Sequence, residues 1–155
     1  APNMSTDTCH TDQLARTLAQ KYDCLRQLQA LGAQQLGCIA AGDMEQLISL
    51  LGGKQRMIER LQEIERALDP FRQDAHQQRQ WRSAEVRMAC ERLAADCQRL
   101  LHEVLLQEQQ SEQQMVLRRD ETGRQIHALN AQVQARDAYG QRDAPWLGQL
   151  DLTTQ

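Results

Sequence analysis

Four histidines, His10, His76, His102 and His127, are the side chains best suited to general acid–base work or metal ligation near neutral pH. Their spacing supports neither. They form no HExxH pair and no Cys/His run with zinc-site spacing, and the doublet Cys9-His10 stands alone in a segment expected to be flexible. The adjacent acids Asp120-Glu121 could share a proton as a catalytic dyad. Arg118-Arg119 precede them, however, and mixed charge of this kind on a helix forms a solvated face with local ion pairs. No GxxxxGK, GxGxxG or GxSxG loop is present to cradle a phosphate or present a nucleophile. The chain is therefore expected not to be an enzyme, with no catalytic residue, no metal and no cofactor.

Five cysteines remain as potential chemistry. An odd number cannot pair completely, and no signal sequence directs the chain to an oxidising compartment, so reduced thiols are expected. Cys24 and Cys38 lie fourteen residues apart, and Cys90 and Cys97 seven apart. Each pair falls on one helix face as small apolar fillers.

Composition narrows the class further. Of 155 residues 41% are hydrophobic, enough for one domain with a core, while aromatics are only 3%. Glutamine is roughly one residue in six, a usage that suits long solvated helices better than a sheet. The net charge of -3 provides no basic field, and no Lys/Arg run alternates with stacking aromatics, which argues against nucleic acid. No apolar run of about 20 residues exists, so no membrane insertion is expected and a cytoplasmic location follows.

The expected fold is all-α, an antiparallel three-helix bundle or coiled coil with an extended third helix. Leu14, Leu18, Leu25, Leu28, Leu31 and Ile39 keep the three-and-four spacing of one buried face, giving a first helix over about 12–41 after a flexible 1–11. Gly42 is placed as its C-terminal stop. Asp43, with Gln46 three residues on, has the form of a reciprocal capping box.

A second helix is predicted over about 43–68, with Leu47, Leu51, Ile58, Leu61 and Leu68 on its seam. It carries Gly52-Gly53 in its middle, a pair that weakens a helix by about 2 kcal/mol. Leu51 and Ile58 nevertheless stay in heptad phase across the glycines, which favours one continuous helix, and missing side chains there would admit a close neighbour. Asp69-Pro70 is expected to end it, because the residue before proline is pushed out of the α region. Phe71 to Arg82 then reads as a connection anchored by Trp81.

Ser83 is a predicted N-cap for a third helix over about 84–138. Val86, Cys90, Leu93, Cys97, Leu100 and Val104 give it a clean seam, followed by the polar run QEQQSEQQ, in which nothing stops a helix. Apolar periodicity resumes at Met115, Thr122, Ile126, Leu129 and Val133. At about 55 residues this helix would be roughly 80 Å long, against roughly 40 Å for each of the others. The stripe Met115, Ile126, Leu129 and Val133 would then be left uncovered, which calls for a client segment, for a second copy in a homodimer, or for helix three to fold back on itself. Residues 140–155 have no helical period and read as a flexible tail.

The stretch GDMEQLISLLGGKQRMIERLQEIE, with the later LRRDETGRQIHALNAQVQARDAYG, resembles the FlgN group of flagellar type III export chaperones. The resemblance spans about Leu14 to Gly140, so the single domain 12–139 would be the chaperone domain. It implies an ATP-independent chaperone that binds C-terminal helical segments of hook-filament junction proteins of the FlgK/FlgL type. It would prevent their premature assembly and bring them to the type III export gate. By the same resemblance Met115, Ile126, Leu129 and Val133 would bind the client, and Tyr139 would dock to a gate protein of the FlhA type. The alternatives are a structural coiled-coil protein that self-associates through its long third helix, or a regulator that masks a partner's helix as the related FliT-type chaperones do.

Overall fold

A computed structural model describes residues 4–73 and 79–143. Among them are three helices and no strand: α1 (Met4–Ala41), α2 (Met44–Gln73) and α3 (Ala84–Asp143). The all-α class and the long third helix agree with the sequence reading. By its internal contacts the chain divides into one unit up to Gln114 and another from Met115, the boundary falling within α3.

Cross-helix pairs fix the topology of the first unit. Lys21 meets Glu65 at 2.7 Å and Gln35 meets Lys54 at 3.0 Å, so α1 and α2 run antiparallel. The Cys97 thiol lies 3.6 Å from the Leu18 carbonyl, and Gln107 donates to the Gln29 carbonyl at 3.1 Å, so α3 returns parallel to α1. The core between them holds Leu14, Leu18, Leu25, Leu28, Ile64, Leu68, Phe71 and Leu100, with Cys24, Cys90 and Cys97 filling gaps. No described cysteine is bonded to another. Burial pushes the Cys24, Cys90 and Cys97 thiols above their ordinary pKa, which suits uncharged filler.

The predicted α1–α2 boundary is present in atomic detail. Gly42 sits at φ 73°, where an L side chain is strained, and its N–H donates to the Ile39 carbonyl at 3.2 Å. The Asp43 N–H donates to Cys38 at 3.0 Å, which completes a Schellman closure. Asp43 then caps α2 by accepting from the Gln46 N–H at 3.1 Å. The reciprocal half of the expected box does not form, because the Asp43 N–H is already used to close α1. Ser83 caps α3 as expected, its hydroxyl accepting from the Val86 N–H at 3.2 Å.

Several boundaries differ from the sequence reading. α1 starts at Met4 rather than near Asp12. Thr11 is 1% exposed and its hydroxyl lies 2.9 Å from the Gln80 carbonyl, while the His10 ring packs 4.5 Å from that of Phe71. Asp12 also receives a two-pronged ion pair from Arg82, with contacts from 2.6 to 3.0 Å. These tertiary contacts hold a turn whose sequence lacks apolar periodicity. α2 runs through Pro70 to Gln73: the proline removes one N–H, but buried Phe71 and the bonds from Arg72 to Asp69 and Glu65 hold the last turn. Phe71 thus belongs to α2, and Trp81 packs on the core from the connection as expected. Of the polar run RQDAHQQRQ, residues 74–78, including His76, lie outside the described residues, as do 1–3 and 144–155 of the expected flexible ends.

The helix is continuous across Gly52-Gly53, as heptad phase indicated. The close approach expected there is absent, since a Cβ on Gly52 would meet nothing within 4 Å. It occurs at Gly32, where a Cβ would overlap the Gln107 carboxamide. Leu51 is also not on the seam: it is 43% exposed, and Lys54 is buried in its place. The polar run of α3 is helical throughout and supplies Gln107, Glu108 and Ser111 to a polar layer over Gln29, Gln35 and Lys54.

Candidate functional site

The second unit consists, among its described residues, of α3 from Met115 to Asp143. Its sequence contains no proline before the end of the helix, and its glycines, Gly123 and Gly140, each cost about 1 kcal/mol relative to alanine without breaking the helix. The helix extends past Tyr139-Gly140, where the tail was expected to begin.

Met115, Thr122, Ile126, Leu129 and Val133 recur every three, four or seven residues and so line one face of this segment. All four predicted client-binding residues are exposed, Met115 least at 40% and Leu129 most at 59%. From Met115 to Val133 the face spans about 27 Å at 1.5 Å per residue. Helical spacing puts Arg118, Arg119, Arg136 and Asp137 along its borders, and Arg119 reaches the Asp120 carboxylate at 3.4 Å. A face of this kind offers apolar anchors with a mainly cationic margin.

Tyr139, the predicted docking residue, is 70% exposed. Six residues beyond Val133, it lies about 120° round the helix from the stripe, so the two features point in different directions. The sequence reading passed over Val116 and Leu117, which are exposed beside and behind Met115. It also passed over Met44 and Ile48, which with Leu51, expected on the seam, form an exposed i, i+4, i+7 set on α2 in the first unit. Their spacing is ordinary seam spacing, so the sequence carried no sign that they would face solvent.

Among the described residues no group of three or more His, Cys, Asp or Glu is placed to hold a metal ion. No described helix is long and apolar enough to cross a membrane.

The family whose description is FlgN protein matches residues 4–144, nearly the whole chain. The chain therefore belongs to the FlgN family of flagellar export chaperones. No curated protein and no solved structure matches it.

Proposed function

We propose that this FlgN-family chain acts in the cytoplasm on C-terminal helical segments of hook-filament junction subunits of the FlgK/FlgL type. It holds them through Met115, Ile126, Leu129 and Val133 and delivers them to the type III export gate. The observation that carries this reading is the exposed stripe itself. Four large apolar side chains on one face, each at least 40% exposed, are a standing cost in water that an amphipathic partner helix would remove.

The chemistry required is correspondingly simple. A segment that orders on binding gives up several kcal/mol of conformational entropy, so apolar anchors at helical spacing hold it reversibly and release it without ATP. The arginines at the border favour a client helix with acidic flanks. Tyr139, turned away from the stripe, is the residue proposed to meet a gate protein of the FlhA type while the client is still held.

Calorimetric titration with C-terminal segments of the junction subunits, repeated with Leu129→Asp, tests this. Micromolar or tighter binding, about 8 kcal/mol or more, that the substitution abolishes is the expected result. No binding, together with a stable dimer that Leu129→Asp dissociates, would instead make the stripe a self-association seam.

A further inference from the structure

The first unit contains a cavity of about 480 Å³ at the end of the bundle where α2 connects to α3, a volume typical of small-molecule sites. Its floor is apolar: Leu14 and Leu18 from α1, Leu68 and Phe71 from α2, Cys90 and Ala94 from α3. Trp81 forms part of its wall. A wholly apolar void would need no ligand, but this one has a charged rim.

The rim cations are Lys21, Arg72, Arg79 and Arg87. Three of them are matched. Lys21 is 2.7 Å from Glu65, Arg72 is 2.8 Å from Asp69 and also meets Glu65, and Arg87 is 3.1 Å from Glu91. Arg79 differs. One of its terminal nitrogens donates to the Phe71 carbonyl, and its Nε–H is buried without a hydrogen-bond partner. A buried donor left unpaired keeps its full desolvation cost, and in a guanidinium that donor is charged. Among the described residues the four rim cations are thus met by three carboxylates, Glu91 on the rim and Glu65 and Asp69 behind it.

We propose that this cavity binds a small amphipathic monocarboxylate, with its apolar body over Leu68, Phe71 and Trp81 and its head group on Arg79. A lining cation that meets no carboxylate among the described residues suits a single carboxylate. A dianion would have to compete with the acids already paired on the rim. The site lies wholly within the first unit and makes no use of Met115, Ile126, Leu129 or Val133, so it does not depend on the client-binding reading.

The test uses the full chain carrying Trp146→Phe, which leaves Trp81 as the one tryptophan. Dodecanoate is titrated below its micelle concentration while Trp81 fluorescence is followed, and 1-dodecanol serves as the uncharged control. The expected result is saturable one-to-one binding, weakened about tenfold or more both by the alcohol and by Arg79→Gln. Ala94→Phe, which places a ring in the cavity, is expected to abolish it, and Gln98→Phe is the alternative filler should that variant not fold. Equal binding of acid and alcohol, binding that survives a filled cavity, or no saturable signal would each overturn the proposal.

Discussion

The Lys54 ammonium of α2 is paired with the Glu108 carboxylate of α3 at a position on the seam where heptad phase calls for an apolar side chain. The two ends of this pair are unequally placed. The Lys54 side chain is 9% exposed and also donates to Gln35 at 3.0 Å, while that of Glu108 is 53% exposed. Removing Glu108 strands a buried cation, whereas removing Lys54 leaves an acid that water can solvate. Glu108→Ala is therefore expected to destabilise the chain by about 1–3 kcal/mol, and Lys54→Met by less. Urea denaturation of both variants checks this order, and the reverse order would mean that Lys54 contributes mainly through its packing.

The glycines should separate by environment. Gly52→Ala and Gly123→Ala place a methyl in open space within a helix, so each is expected to stabilise by up to about 1 kcal/mol. Gly32→Ala must displace the Gln107 side chain and loosen its bond to Gln29, and Gly42→Ala forces a side chain onto φ 73°. Both should destabilise by about 1 kcal/mol. Thermal melts of the four variants give the signs directly, and a destabilising Gly52→Ala would show that the glycine pair serves something other than space.

How far the sequence carries this fold depends on what its pattern encodes. Periodic leucines report which face is buried, and the chain's Gly42-Asp43 and Ser83 carry their own capping chemistry, so the helix count and these boundaries were legible. The first turns of α1 and the last turn of α2 were not. There the helix is held by long-range contacts, His10 on Phe71, Arg82 on Asp12 and buried Phe71, which no local window contains. The burial of Lys54 was not legible for a related reason: a binary pattern assigns lysine to the surface and cannot see that Gln35 and Glu108 arrive to receive it. The exposed stripe was legible because it is a single-helix property. The cavity was not, since its floor draws on three helices.

Alkaline pH should weaken the first unit. Burial raises the Cys24, Cys90 and Cys97 thiols above 9.0, so the unfolded chain loses those protons first. Their contribution to stability is complete below about pH 9 and is lost as pH rises through the folded-state values. Lys54 has the opposite sign, because burial lowers its pKa below 10.5 and stability recovers as the folded chain sheds that proton. In Lys54→Met, which lacks the opposing amine, denaturation midpoints should therefore fall from pH 8 to pH 10. A midpoint that holds or rises over that interval would contradict the burial of the thiols, and so would rapid labelling of Cys24, Cys90 or Cys97 in the native chain.

Tyr139 and Leu129 should be separable by function. They lie ten residues apart on one helix, and at 100° per residue their side chains diverge by about 80° while Val133 and Tyr139 diverge by about 120°. Both are exposed, so substitution at either costs little folding energy, within about 0.5 kcal/mol for a surface position. Leu129→Asp puts a charge in the centre of the proposed apolar contact and should abolish client binding. Tyr139→Ala removes a side chain that points elsewhere, so client affinity should stay within about twofold while binding to the cytoplasmic part of the gate protein falls. The measurement is a pair of titrations on each variant, one with the client segment and one with the gate fragment. If Tyr139→Ala weakens client binding as much as Leu129→Asp does, the client wraps round the helix, and the assignment of separate faces to client and gate must be abandoned.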